Sequence, residues 1–420
     1  MRRLLTFVFL TCLAGCGVSN PAQQAAAPAG ALSIAEEFNQ NKPSDTPETP
    51  LASYDRSNES QLESFLQDIA AKVGRDKLVP TLLQHLRGDN KPRQIMSAAA
   101  LIRHGTDTDA SLTVLVKALA DPNEWGATYA AQMLPRLRPA SLSAIGPLAR
   151  ATTRSDAAGQ AAAIAAASFG LPAVPHLIKA LEQQDPAESE WTTIGLAEVG
   201  PLAVPALTEA LAHENWFVRW GTAEALGQIG TRATSAAPAL IPLLEDENPQ
   251  VRATAANSLQ RMNANSTEVL ASLLAAANDS EARVRSCVAV ALGVLGKKDE
   301  RVGPALTQLS KDPDADVRQA AGVGLNALSS AKIVPSLVKM LGDEHAHVRR
   351  IAVSGLIKAG PAAKEAWPKI HEAYQKAPED DRDALAEALL RIDADAAEKE
   401  GITWETLKRP EKQFAPPPKN

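Results

Sequence analysis

The sequence has 420 residues, with 43 basic against 49 acidic side chains and a formal net charge of −6. It is 45% hydrophobic but only 4% aromatic, a balance that suits helices packed through alanine and leucine. The acidic total argues against a nucleic-acid binder, which needs a basic face for the phosphate backbone.

The chain opens on Met1-Arg2-Arg3, runs through mostly apolar residues from Leu4 to Leu10 and closes with Leu13-Ala14-Gly15-Cys16. A positive start followed by an apolar run too short to span a bilayer is the layout of a secretory signal, expected over residues 1–15. Leu13 to Cys16 also resembles a bacterial lipobox. That resemblance implies a diacylglyceryl thioether on Cys16, cleavage before it and acylation of the new amino terminus. By the same rules Gly17, rather than Asp, favours the outer membrane. Several acyl chains, at about 0.8 kcal/mol per buried CH₂, make a stable anchor. The expected location is the cell envelope, lipid-anchored at the outer membrane and facing the periplasm. An ordinary signal that leaves Cys16 free is the alternative. Loss of Arg2 and Arg3 with the signal leaves 41 basic and 49 acidic residues, a net charge of −8.

Residues 16–57 carry Pro, Ala, Gln, Ser and Thr with little apolar periodicity, and read as the lipidated cysteine followed by a flexible tether. About 41 such residues span roughly 35 Å as a root-mean-square distance, enough to hold a folded domain clear of lipid. The helical array is read over residues 58–395, with clear periodicity from Leu62. Residues 396–409, with Trp404 and Leu407, are expected to cap the array. Residues 410–420, with Pro416-Pro417-Pro418, are expected to be disordered.

Between these limits one pattern returns. Val218-Arg219, Val251-Arg252, Val284-Arg285, Val317-Arg318 and Val348-Arg349 follow one another at steps of 33 or 31 residues. Seven positions after each Arg stands a leucine: Leu226, Leu259, Leu292, Leu325 and Leu356. The Ala-rich stretch between them has helical spacing and ends, as at Gly230, on a left-handed stop. A proline then opens a second, Leu-rich helix at Pro205, Pro238, Pro304, Pro335 and Pro368, where a first-turn proline is tolerated. Six residues before four of the arginines is an aspartate, in the pairs Asp246 and Arg252, Asp279 and Arg285, Asp312 and Arg318, and Asp343 and Arg349. An Asp there can accept N–H groups at the next helix start, and an Arg one turn in can reach the Asp of an adjacent unit, forming a ladder. A helical pair repeated at this period cannot bury its apolar face alone and must stack on its neighbours, so the fold class is an all-α solenoid.

The leucine register extends back through Leu196, Phe169, Leu134, Leu101 and Ala70 and forward to Leu389, which predicts about eleven units. With helices packed about 8–10 Å apart, the array should be an arc on the order of 100 Å long. His213 stands where Asp is expected before Arg219, Ala127 stands where Arg is expected after Asp121, and the units around Phe169 and Leu196 lack the pair. A local change of curvature is therefore expected between residues 140 and 200.

On these residues the chain resembles the HEAT repeat family, in particular the short repeats of phycobilin lyases, over roughly residues 60–395. The resemblance implies a stacked helical array that serves many functions. Bilin lyases and HEAT-type hydroxylases define an enzymatic alternative. The hydroxylases carry di-iron ligands as His-Glu pairs at the start of the first helix. Those positions here hold Trp220-Gly221, Ala253-Thr254, Ser286-Cys287, Gln319-Ala320 and Arg350-Ile351, which removes the ligands. The sequence also lacks a phosphate-binding glycine loop, Cys-x-x-Cys and His-Glu-x-x-His. His345-Ala346-His347 beside Asp343 and Glu344 admits a metal in principle and a solvated loop more simply. Cys287 is the one thiol left once Cys12 departs with the signal and Cys16 carries lipid; it reads as a small core residue. No catalytic residue, metal or cofactor is expected.

Trp125, Trp191, Trp216, Phe217 and Trp220 gather near first-helix starts. They either fill gaps where the Asp and Arg pairing fails or anchor a partner. The function these features imply is a membrane-anchored scaffold that binds a protein or peptide along its second-helix face. Glu209, Lys179, His176, Gln308, Lys339 and Lys376 are contact positions by helix phase.

Overall fold

The computed structural model describes residues 57–407 except 122, 138–139, 183–189 and 329–330. The expected signal, Cys16 and most of the tether, like the 410–420 tail, lie outside the described residues. Within them the chain alternates first and second helices, with no strand. The first helices are α1 (Ser57–Val73), α3 (Lys91–His104), α5 (Glu124–Met133), α7 (Ala157–Ser168), α9 (Glu190–Val199), α11 (Trp216–Ile229), α13 (Pro249–Arg261), α15 (Ala282–Leu295), α17 (Ala315–Leu328), α19 (Ala346–Ala359) and α21 (Glu379–Ile392). Each is followed by a second helix: α2 (Leu78–Leu86), α4 (Thr108–Leu119), α6 (Ile145–Ala151), α8 (Val174–Glu182), α10 (Val204–Ala210), α12 (Ala237–Leu240), α14 (Thr267–Ala276), α16 (Val302–Leu309), α18 (Val334–Met340), α20 (Trp367–Lys376) and α22 (Ala394–Lys399). This makes eleven pairs. α22 runs across residue 395, so the last repeat and the expected cap are continuous there.

Each first helix packs on the first helix of the next unit and on the second helix of the preceding one. The register leucines Leu101, Leu134, Leu196, Leu226, Leu259, Leu292, Leu325, Leu356 and Leu389 are all fully buried. In the first unit the register slips by one: Ile69 is buried and Ala70 only half-buried, because the end helix has a neighbour on one side alone. α7, the sequence AAGQAAAIAAAS, is buried on nearly all sides between α5 and α9; alanine is small enough for three first helices to approach closely. The approach is tightest between α15 and α17. A Cβ built on Gly293 would lie 2.2 Å from the Gly324 Cα, and one on Gly324 2.6 Å from the Ala289 carbonyl oxygen.

Several first helices are capped by the residue two past the loop aspartate position, although Glu281 and His345 at that place make no side-chain cap. The Asn123, Asn215 and Asn248 side chains accept N–H groups of Trp125, Phe217 and Gln250, and Asp156 accepts those of Ala158 and Gly159. The loop aspartates orient this cap instead of making it, since the Asp246 Oδ1 accepts the N–H of Asn248 at 2.9 Å. Several first helices end on glycine, and Gly105 does so in the left-handed helical region, but at Gly230, where the spacing predicts the same stop, the geometry differs. Gly230 has φ +68° and ψ −138°, outside the left-handed helical region and open essentially to glycine alone. The turn it makes runs through a 3₁₀ stretch, Gly230–Ala236, straight into the proline-led second helix.

Candidate partner-binding site

The Val-Arg repeat builds a continuous ladder. Arg252 donates from Nε and Nη2 to both carboxylate oxygens of Asp279 in the next unit, at 2.7 and 2.8 Å. Its Nη1 reaches back to the carbonyls of Asp246 and Glu247 in its own loop, at 2.9 and 3.3 Å. Arg219 holds Asp246, Arg285 holds Asp312 and Arg318 holds Asp343 in the same bidentate way, each with Nη1 on two loop carbonyls. Every rung therefore ties a unit to its successor and also closes its own loop, a geometry that the planar guanidinium fork makes possible. Burial pushes the carboxyls of Asp279, Asp312 and Asp343 up, but the arginine and backbone hydrogen bonds outweigh it and hold all three below the ordinary aspartate value. Arg219, Arg252, Arg285 and Arg318 are raised in turn, first by their hydrogen bonds to Asp246, Asp279, Asp312 and Asp343 respectively.

A further rung had no signature in the Asp-to-Arg spacing. Arg349 donates to Asp381 at 2.8 Å, but Asp381 sits inside the first turn of α21 instead of in a loop. The signal was the Asp380-Asp381-Arg382 cluster of the last unit. At the ladder's other end, His213 performs part of the missing aspartate's role. Its Nδ1 accepts the Asn215 N–H at 3.1 Å, its carbonyl accepts from Arg219, and its Nε2 lies 3.3 Å from Glu182. Upstream, the contacts are separate. Lys91 reaches Asp121 at 2.7 Å, while Arg154 holds Asp156 in its own loop and donates to the Asp121 carbonyl at 2.8 Å. The Lys91 hydrogen bond, then that of the Asn123 N–H, hold the Asp121 carboxyl low.

The aromatic residues form three separate groups. Trp216, Phe217 and Trp220 share α11: Phe217 is buried, meets Trp216 edge-on at 5.5 Å and stacks on Trp220 at 5.1 Å. Trp216 and Trp220 are half-buried against the core. Trp191 lies across to α7, where a Cβ on Gly159 would approach its Cδ1 to 2.9 Å. Trp125 stacks on Tyr129 of its own helix at 5.4 Å and is 37% exposed. Among the described residues no ring contact joins the three groups.

The six second-helix positions chosen by phase, Glu209, Lys179, His176, Gln308, Lys339 and Lys376, are all exposed. Helix phase alone missed two equivalents, Lys117 on α4 and Arg150 on α6, which are also exposed. An open notch of about 260 Å³ between α16 and α18 is lined by Thr307, Lys311, Ser336 and Lys339. His345 Nδ1 lies 3.1 Å from Arg318 Nη2 and is part of the ladder. Among the described residues no cluster of three metal-ligating side chains is assembled, and no helix is long and apolar enough to cross a membrane. Cys287 packs against the core, and burial raises its thiol above the ordinary value.

A right-to-the-end alternation of helical pairs, stacked through their first helices and tied by arginine rungs, defines an α-solenoid of the scaffold class. A HEAT repeat family model matches residues 174–244, 237–326 and 303–390, an unbroken run covering just over half of the sequence. The chain belongs to the HEAT repeat family. Among solved structures it is similar to a Kap121p mutant, with a TM-score of 0.58 and 13% identity over 81% of this chain and 44% of that one. It is also similar to Kap121p bound to Nup53p, with a TM-score of 0.56 and 14% identity over 83% of this chain and 45% of that one. An engineered protein aligns over 75% of this chain and 98% of its own at 20% identity and a TM-score of 0.39. The chain thus spans less than half the length of Kap121p, and the likeness establishes the fold. No curated protein matches the sequence.

Proposed function

We propose that this chain is a membrane-anchored HEAT-repeat scaffold that binds a protein or peptide partner along the exposed face of its second helices. The observation that carries the reading is that face itself. One exposed position recurs per unit while the ladder behind it fixes the spacing of units, so a long ligand can be met by many weak contacts with little ordering cost. Kap121p, which shares the fold, has been crystallised bound to Nup53p, Ste12p and Pho4p, and these complexes support the use of such an array for protein recognition. Trp125, the exposed aromatic, is a second contact candidate at the first-helix edge; Trp191, Trp216, Phe217 and Trp220 serve mainly to fill the array where the ladder is interrupted.

The anchoring part of the proposal rests on Cys16 within Leu13-Ala14-Gly15-Cys16, and places the array in the cell envelope, at the outer membrane and facing the periplasm. A photo-crosslinking residue at Lys179 or Lys339, activated in the native envelope and followed by mass spectrometry, should yield a defined protein adduct. Recovery of nothing above the level of a chain labelled on the first-helix side refutes the scaffold. The Cys16→Ser chain should leave the membrane fraction; if it stays, the lipid anchor is wrong.

A further inference from the structure

The second helices share one register position, two residues after a fully buried leucine or isoleucine. Read along the array, it holds Gln84, Lys117, Arg150, Lys179, Glu209, Pro242, Ala275, Gln308, Lys339 and Glu372. Three consecutive units, α4, α6 and α8, place Lys117, Arg150 and Lys179 there, in the last turn of each helix. All three are exposed, and among the described residues none has a carboxylate at ion-pair distance. His176, one turn before Lys179, joins the row: its Nδ1 and the Arg150 Nη1 both lie against Gly146 of α6, at 3.4 and 3.7 Å from where a Cβ would be. Glu182, the acidic side chain of α8 itself, lies 3.3 Å from the His213 ring. A neutral Gln84 and an acidic Glu209 bound the row on either side. Among the described residues, a basic stripe with no carboxylate partner therefore sits on a chain whose total charge is negative, and it is distinct from the ladder, whose arginines are all consumed by aspartates.

Resting on the scaffold reading above, we infer that the stripe on α4, α6 and α8 binds an extended acidic protein segment carrying a carboxylate at every third residue. The spacing argument selects this occupant. Stacked helices are about 8–10 Å apart. A polyproline II strand repeats its side-chain direction every three residues and rises about 9 Å in doing so, so carboxylates at i, i+3 and i+6 face Lys117, Arg150 and Lys179 in succession. The stripe ends at Glu209, which repels a fourth carboxylate and fixes where such a segment stops. Exposed pairs are individually weak and add across the three units.

The test is fluorescence anisotropy of the full chain with labelled twelve-residue peptides built as four Glu-Pro-Pro repeats. The expected result is binding that weakens with salt, drops about tenfold or more in a Lys117→Gln, Arg150→Gln, Lys179→Gln triple variant, and is unchanged in Lys297→Gln, an exposed lysine outside the second helices. Equal binding of Gln-Pro-Pro repeats, of a peptide with its four glutamates in one block, or of the triple variant overturns the inference. So does tighter, triple-sensitive binding of single-stranded DNA or of anionic phospholipid vesicles, either of which assigns the stripe to a different anion. Circular dichroism of the triple variant confirms that its helices are intact. If the photo-crosslinker at Lys339 still captures a protein partner while the acidic peptides fail, the scaffold stands and the acidic segment falls; if nothing is captured, the scaffold itself falls.

Discussion

Removing a single rung tests whether the ladder is what couples the units. In Arg285→Ala the Asp312 carboxylate, 8% exposed, loses both guanidinium hydrogen bonds and keeps the N–H of Asp314, while the carbonyls of Asp279 and Ser280 lose their shared donor. Stranding one member of a fully buried pair costs about 3–5 kcal/mol, and a surface pair contributes about 0–1 kcal/mol. With 15% of the Arg285 side chain still reaching solvent, the cost falls between these limits, at about 2–3 kcal/mol. A double-mutant cycle with Asp312→Ala should give a coupling of about 1–2 kcal/mol, since Asp312→Ala leaves the Arg285 grip on its own loop in place. A stacked array opens locally, so native-state hydrogen exchange is the suitable assay and the loss of protection should concentrate in α15, α16 and α17. The pair Lys72 and Asp68, with side chains 67% and 60% exposed, serves as a control with no measurable coupling. A coupling at Arg285 below about 0.5 kcal/mol, or a loss spread evenly from α1 to α22, refutes the ladder as a linker of neighbours.

Three further outcomes follow from named contacts. Gly324→Ala drives a Cβ into the Ala289 carbonyl at 2.6 Å and should cost about 2–3 kcal/mol in urea unfolding, whereas Gly303→Ala, whose nearest neighbour would be at 4.0 Å, should cost nothing; equal effects would mean that α15 and α17 are not in backbone contact. The aspartates of the ladder have lowered folded values, so their contribution is complete above the ordinary aspartate value near ~3.9 and is lost as pH falls through the folded values. The urea midpoint should accordingly hold from neutral pH to about 5 and decline below about 4, and a midpoint that rises on acidification through that window contradicts the assignment. Cys287, with a thiol raised by burial, should react at least about tenfold more slowly with a disulfide reagent in the folded Cys12→Ser, Cys16→Ser chain than in urea, and equal rates would place it at the surface.

Much of this arrangement is legible because repetition converts one local pattern into many. Leu226, Leu259, Leu292, Leu325 and Leu356 recur at the helical period, and a residue that must face a neighbour on both sides in every unit has no freedom to drift. The ladder was equally visible wherever both partners lie in the repeating Asp-to-Arg frame. What escaped the spacing were places where a different atom does the same job. Asp381 accepts Arg349 from within a helix, and the His213 ring nitrogen holds the Asn215 N–H that an aspartate oxygen holds elsewhere. Backbone carbonyls account for much of the rest: Nη1 of Arg219 binds the His213 and Glu214 carbonyls, a contact that no side-chain pattern announces. Ala70 slipped by one position because an end helix is packed on one side, which relaxes the register that the interior units enforce.

The division of charge within a unit explains how one sequence carries both a stable array and a free recognition surface. Ladder arginines sit one turn into the first helices and are neutralised by an aspartate of the following unit, so a substitution there is read out as lost stacking. Lys117, Arg150 and Lys179 sit in the last turn of the second helices between buried leucines and alanines; they touch no ladder member, and substituting them changes surface potential without opening the core. The stripe occupies the units where the Val-Arg pair is missing. There the stacking is carried by alanine packing around α7, by Trp191 against Gly159 and by the Lys91 and Arg154 contacts with the Asp121 loop, none of which draws on the second-helix cations. Because ladder and stripe share no residue and lie units apart, their free-energy effects should add, and selection on partner charge can proceed in the irregular half while the ladder holds the regular half fixed.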